Sequence, residues 1–296
     1  MTSVVIAAHN EETVVGRCLD ALLADAAPDE FDVTVVANGC TDATAAIAGA
    51  RPGVRVVELP EAGKAAALNA GDAAAVGFPR VYLDADIVLS TASLRGIAAS
   101  LDASSGVLAA TPQRSLDLAG RPLLVRAYFA INRRHPAFRQ GLFGRGVIAL
   151  SREGRERFDR FPDLVADDLF LDALFTAAEK HEVGGVTARV ATPLRTRELI
   201  RRLSRVRRGN ATLRAVAATK VAALRVRPAA RGSWLRDVVL PRPWLAPASV
   251  CYVAITIVAA VAARRTGGDG AAWARDESTR GTGIADRRHS GVSRGS

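Results

Sequence analysis

Asp84 and Asp86 stand two residues apart where the run Arg80-Val81-Tyr82-Leu83 ends. Carboxylates at i and i+2 of a bending chain can converge on one hard cation, and Mg²⁺ typically joins one or two carboxylates to phosphate oxygens. With 19 Asp among 296 residues, chance alone would supply such a pair. Its position at the carboxyl end of a buried strand is what gives it weight.

Other strand ends in the first half also carry polar groups. The run 3–8 leads into His9-Asn10-Glu11-Glu12. Asn10 there is a candidate N-cap for the following helix, and a helix N-terminus attracts phosphate. A simple capped turn explains those residues equally well. Asn38 closes the run 32–37; its amide both donates and accepts, as a nucleobase edge requires, or it serves only a turn. Only three of the 40 basic residues are Lys, namely Lys64, Lys180 and Lys220. Lys64 follows Gly63 at the start of a small-residue helix, where it suits a diphosphate or is merely exposed. In the second half, Asp167-Asp168 opens a helix. The pair is a general base for a hydroxyl group or a helix cap worth about 1 kcal/mol.

Short apolar or β-branched runs at 3–8, 32–37, 54–59, 80–84 and 107–111 are predicted strands. Val15, Cys18, Leu19, Leu22 and Leu23 follow helical spacing, and Ala-rich segments near 42–50, 65–76 and 92–101 supply further helices. Strands alternating with helices predict an α/β fold, a mostly parallel sheet with helices on both faces. Ligands of such sheets lie beyond the carboxyl ends of the strands. After residue 112 the alternation weakens into a loop-rich stretch through Gly141-Leu142-Phe143-Gly144-Arg145-Gly146. Strands follow near 147–150 and 185–191.

The net charge of +10 is uneven: residues 195–231 hold 12 basic side chains and one acid, Glu198. This block suits polyanions, phosphorylated substrates or an anionic membrane surface, or it is a solvated helix face. Aromatic residues are almost absent from it, so stacking on nucleic acid is not expected. Residues 244–263 form an uncharged stretch of 20, just long enough to cross a bilayer. Arg lies beyond both of its ends, which gives no orientation signal. Three Cys without a C-x-x-C fit a reducing cytosol, and the N-terminus reads as a strand and not as a secretory leader. The expected organisation is a catalytic domain over 1–194, a basic helical segment over 195–232, an apolar helix over 233–265 that either contacts the inner membrane face or packs on the protein or a partner, and a disordered tail over 266–296.

Taken in order, AHNEE, VVANGCTDAT, GKAAALNAG, YLDAD, FGRG and ADDLFLD closely resemble family 2 glycosyltransferases of the GT-A fold, over about residues 1–200. The resemblance implies a nucleotide-diphosphate sugar donor, UDP- or GDP-linked, and an inverting transfer to a polymeric, lipid-linked or small-molecule hydroxyl. It implies that Ala8, His9 and Glu11 line the base and ribose, Asn38 the base edge, Lys64 the diphosphate, and Asp84 the ribose or metal. Asp86 would bind Mg²⁺ or Mn²⁺, and Asp168 would be the catalytic base with Asp167 beside it. Gly144 would approach the donor sugar; Arg205 and Arg208 would meet phosphate groups of donor or acceptor. His9 stands where Tyr is common, and Asn38 where a second Asp is usual. Two other functions compete: a sugar-phosphate nucleotidyltransferase and a non-catalytic polyanion-binding protein. The acidic turn after the first strand would repel the triphosphate of the former, and the carboxylates Asp84, Asp86 and Asp168 have no use in the latter.

Overall fold

The computed structural model describes residues 1–102, 105–163, 166–220 and 232–265. The 266–296 tail and the end of the basic segment lie outside the described residues. Seven strands form one sheet in the order β3-β2-β1-β4-β6-β5-β7. They are β1 (Thr2–Ala8), β2 (Phe31–Asn38), β3 (Val54–Leu59), β4 (Arg80–Asp84), β5 (Ala109–Asp117), β6 (Val147–Leu150) and β7 (Lys180–Ala191). The first four run parallel, and β6 lies antiparallel between β4 and β5.

β1 is buried along its whole length, which is why its sequence is a continuous apolar run without alternation. Val4, Ile6 and Ala8 pack on one face with α1 (Val15–Leu23), α2 (Thr44–Gly49) and α4 (Thr91–Ala99). Val5 and Ala7 pack on the other with α3 (Lys64–Ala74). The chain steps outward from β1 through β2 to β3, then returns to place β4 on the other side of β1. Between β1 and β4 lies the crevice where such sheets bind ligands.

β6 brings a second set of residues to that crevice. Val147 pairs with Leu83, so the antiparallel strand begins where β4 ends. Gly146 is thereby set against Asp84, whose N–H donates to the Gly146 carbonyl at 2.8 Å. The glycine has φ +67°, and a Cβ there would lie 2.5 Å from Ile87 Cγ1 and 2.9 Å from Asp84 Oδ2.

The stretch after residue 112 differs from its loop-rich expectation. β5 runs on to Asp117, and α5 (Leu123–Asn132) and α6 (Pro136–Gln140) follow it. Val125, Tyr128, Phe129 and Ile131 of α5 are buried while Leu123 and Leu124 are exposed, so apolar residues on both sides of this helix blur its period. Two short helices, α7 (Arg152–Arg155) and α8 (Asp167–Ala173), lie between β6 and β7. The described part of the basic block forms α9 (Thr196–Lys220), and the apolar stretch forms α10 (Ala246–Arg265) after a π-helical turn at Trp234–Val239. α10 packs on α5 and α9 through Tyr252 and Ile255.

Candidate active site

The carboxyl ends of β1 and β4, the start of α3, the loop before β6, the start of α8 and one face of α9 enclose a cavity of about 260 Å³. Of the residues singled out in the sequence, His9, Glu11, Lys64, Asp84, Asp86, Gly144, Asp167, Asp168 and Arg205 line it. Asp86 and Asp168, 82 positions apart in the chain, therefore share one cavity.

Lys64 joins the two halves. Its ammonium lies 2.8 Å from Asp84 Oδ1 and 3.0 Å from Asp167 Oδ2. Burial works against the Lys64 charge, but Asp167 and Asp84 outweigh it and raise the pKa well above the usual lysine value. Burial pushes Asp84 up, yet the attraction and hydrogen bond of Lys64 hold it below the ordinary value. Asp167 is raised by burial and by Asp84, with Lys64 opposing.

Asp168, next to this chain of charges, is held by backbone N–H groups. Its Oδ2 accepts from the Gly144 N–H at 3.1 Å, and its Oδ1 from the Leu169 N–H at 2.8 Å. Burial first, then repulsion from Asp167, pushes its pKa up to about 6, against the pull of Lys64 and the Gly144 N–H. A carboxylate tuned upward in this way approaches the basicity that proton abstraction near neutral pH needs.

One turn along α8, Asp172 repeats the grip on the same loop. Its Oδ1 accepts from the Leu142 N–H at 2.9 Å and lies 2.7 Å from Lys180 Nζ, both side chains 4% exposed. Asp168 and Asp172 are i, i+4 neighbours, so one helix face holds residues 142 and 144 together. Asp172→Asn removes the buried negative charge that faces the Lys180 ammonium at 2.7 Å. Chemical denaturation should record a loss of about 3 kcal/mol, the lower end for a broken buried pair.

Gly146→Ala is a local probe of the other wall. The added methyl meets Ile87 and Asp84 Oδ2 in a backbone conformation that Ala resists. A loss of about 1 kcal/mol or more is expected by denaturation, with weaker stabilisation by donor nucleotides, because the displaced carboxylate is Asp84.

Four expectations need correction. Asn38 does not present its amide to a base edge. It is fully buried, Nδ2 donating to the Ala8 carbonyl at 2.7 Å and Oδ1 accepting from the Gly63 N–H at 3.0 Å. It ties β1, β2 and the start of α3 together, and its carbonyl lies 2.7 Å from His9 Nδ1. A carbonyl only accepts, so Nδ1 carries the hydrogen and the imidazole is held from behind. Ala8 belongs to the core on the α1 side; strand alternation turns its neighbour Ala7 toward the cavity. Asn10 does not cap α1, which begins at Val15. It takes φ +53° and accepts the Thr41 N–H at 2.8 Å, joining the turns after β1 and β2. Arg208 is exposed and outside the cavity wall. The inward stripe of α9 runs through Arg202, Arg205, Val206, Gly209 and Leu213, and helical geometry turns residue 208 away from it.

Arg202 was not singled out in the sequence, yet it lines the cavity and helps hold Asp84 ionised. Its position one turn before Arg205, on a stripe continued by small and apolar residues, was the available signal.

Among the described residues, no three His, Cys, Asp or Glu side chains gather into a metal cage. Asp84 and Asp86 supply a pair of oxygen donors, which suits a hard cation whose remaining ligands are water and phosphate oxygens. The charge balance agrees. Glu11, Asp84, Asp86, Asp167 and Asp168 face Lys64, Arg202 and Arg205, and this acidic excess favours a divalent cation when an anionic diphosphate enters.

The family model described as Glycosyl transferase family 2 matches residues 3–151. No curated protein matches the sequence. Among solved structures, a mannosyltransferase from Pyrobaculum calidifontis in complex with GDP-Man and Mn²⁺ is 24% identical. It superposes with a TM-score of 0.58 over 90% of this chain and 76% of its own. Glucosyl-3-phosphoglycerate synthase from Mycobacterium tuberculosis, in complex with Mn²⁺, UDP-glucose and phosphoglyceric acid, is also 24% identical. Its TM-score is 0.53, over 74% of this chain and 80% of its own. At this identity the two likenesses concern the fold, and the seven-stranded mixed sheet with helices on both faces is theirs.

Proposed function

Because the chain belongs to glycosyl transferase family 2, we propose that it is a metal-dependent, inverting glycosyltransferase that moves a sugar from a nucleoside-diphosphate sugar to a hydroxyl of a lipid-linked, polymeric or small-molecule acceptor. The observation that supports this most is the shared cavity of Asp86 and Asp168 at the carboxyl edge of β4, where Lys64 bridges Asp84 and Asp167. The same reading puts the enzyme in the cytoplasm, against the inner face of the cell membrane.

In this mechanism the donor lies across the crevice between β1 and β4. His9, held by the Asn38 carbonyl, packs on the nucleoside, and Glu11 faces it. Lys64, Arg202 and Arg205 meet the diphosphate. A divalent cation, Mg²⁺ or Mn²⁺, bound by Asp86 with Asp84 alongside, would neutralise charge on the leaving diphosphate without a proton. Asp168 accepts the acceptor's hydroxyl proton as that oxygen bonds the anomeric carbon. The bond from that carbon to the diphosphate oxygen breaks in the same displacement, and the nucleoside diphosphate leaves with the electron pair. Attack opposite the leaving group inverts the anomeric centre. The Gly144 N–H, donating to Asp168 Oδ2, keeps the base aimed.

Thermal-shift screening of UDP-, GDP- and TDP-sugars with Mn²⁺ tests the donor class directly. A donor at 100 times its dissociation constant adds about 2.7 kcal/mol of stability. A protein whose unfolding temperature moves with none of them, with or without Mn²⁺, is not a sugar-nucleotide enzyme of this kind.

A further inference from the structure

α10 has two unlike faces. Tyr252, Ile255 and Ala259 form the inner one, where Tyr252 stacks on Tyr128 of α5 with ring centroids 5.1 Å apart. Val250, Ala254, Ile257 and Val261 follow i, i+4, i+7 and i+11 on the opposite side, and all four are exposed, Val250 at 70% and Ile257 at 57%. Trp244, just before the helix, is 70% exposed. Helical geometry makes these residues one continuous apolar stripe, and no described part of the chain covers it.

Basic groups lie at both ends of the stripe and beside the helix. Arg264 and Arg265 end α10 and are exposed, Arg242 precedes it, and Arg207 of the neighbouring α9 is exposed and near enough to Tyr252 to act on it electrostatically. A second copy of this chain laid on the stripe would bring these like charges together. An anionic bilayer would instead attract them while taking up the apolar residues.

The helix is long and apolar enough to span a bilayer, but its packing argues against a span. Its inner face shares a cluster with Val125, Tyr128 and Phe129 of α5 and Leu199 of α9. Insertion across the hydrocarbon would either break that cluster or carry the arginines of α9 with it, and charge at the bilayer centre is strongly disfavoured.

We propose that the outward stripe of α10, with Trp244, lies in the interface of an anionic bilayer as a monotopic anchor, the flanking arginines resting on lipid headgroups. The inference rests on the membrane placement proposed above and gives it a surface and a mode. It also gives α9 two duties, because its Arg202 and Arg205 line the donor cavity while it packs on α10. The cavity then lies about one helix diameter, roughly 10 Å, from the anchor, within reach of an acceptor hydroxyl carried near the headgroups.

Flotation of the full chain with vesicles tests this, using phosphatidylcholine alone and phosphatidylcholine mixed with phosphatidylglycerol. The chain is expected to float with the mixed vesicles, to sediment with the neutral ones, and to be released by high salt. Ile257→Glu with Val261→Glu should abolish flotation, and Arg264→Glu with Arg265→Glu should weaken it. Both variants should keep the parent's donor-induced thermal shift, which shows an intact cavity. A stripe variant that floats like the parent overturns the α10 anchor and leaves membrane placement standing. A parent that floats with neither vesicle overturns both. Salt-resistant flotation overturns the interfacial mode in favour of a span. A parent dimer that the stripe substitutions dissociate, with no flotation, identifies a second copy as the occupant and overturns the proposal.

Discussion

Asp168→Asn should lower the rate of sugar transfer by about 10²- to 10⁴-fold, the usual contribution of a positioned acid–base group, while donor binding stays at the parent level. The amide oxygen can still accept the Gly144 N–H, so the loop and the cavity wall keep their place, but the side chain no longer takes up a proton. Donor binding, read by the donor-induced thermal shift, isolates the missing step. The parent's pH profile follows from the same carboxyl group. With a pKa of about 6, Asp168 is a competent base only when ionised, so turnover should climb through that pH and level off above it. Stability moves the other way. A folded-state pKa above the unfolded value means that the native protein binds the extra proton, so this group costs stability as pH rises toward neutrality. Asp168→Asn removes that cost and should leave the fold at neutral pH as stable as the parent or slightly more so. Unchanged turnover in the variant would remove Asp168 from the chemistry.

The sheet was legible because its central strands are buried on both faces. Val4-Val5-Ile6 and Val33 through Ala37 admit little but apolar residues, and runs of that kind separated by helical spacing point to parallel strands. The cavity was legible for a related reason: in a parallel sheet the carboxyl ends converge, so polar residues after each strand become neighbours. Facing was not legible. Ala7 and Ala8 differ by one position, and only the pleat decides which meets the cavity. Asn38 has the chemistry of a base-reading group, but its amide is spent on Ala8 and Gly63, partners 30 and 25 residues away. A sequence records the amide and not its partners. The second half was harder again. The contacts that hold α5, α8 and α9 join residues far apart in the chain, such as Tyr128 with Tyr252 or Asp172 with Lys180 and Leu142. Short elements held by such contacts show little period of their own.

Lys64→Met is expected to damage both binding and the fold, with opposite signatures in pH. In the parent, one ammonium serves Asp84 and Asp167 together. Its removal leaves two carboxylates that repel each other and are disfavoured by burial. The loss at neutral pH should be about 2 kcal/mol, below the about 3–5 kcal/mol of a fully enclosed pair because the side chains of Lys64 and Asp84 keep 24% and 42% of their exposure. Lys64 holds Asp84 below its ordinary pKa, so in the parent this pairing stabilises the fold above the usual carboxylate range and fades in acid. In the variant both carboxyl groups titrate above that range, the native state binds more protons than the unfolded chain, and stability falls as pH rises. The gap between parent and variant should therefore narrow steadily as pH is lowered from neutrality, which equilibrium denaturation at several pH values measures. Donor affinity should drop roughly 10- to 100-fold, the equivalent of one lost charged hydrogen bond, and acid should not restore it, because protonated carboxyl groups supply no cation for the diphosphate. A variant whose stability curve and donor affinity both overlay those of the parent would show that Lys64 neither balances the two aspartates nor touches the donor.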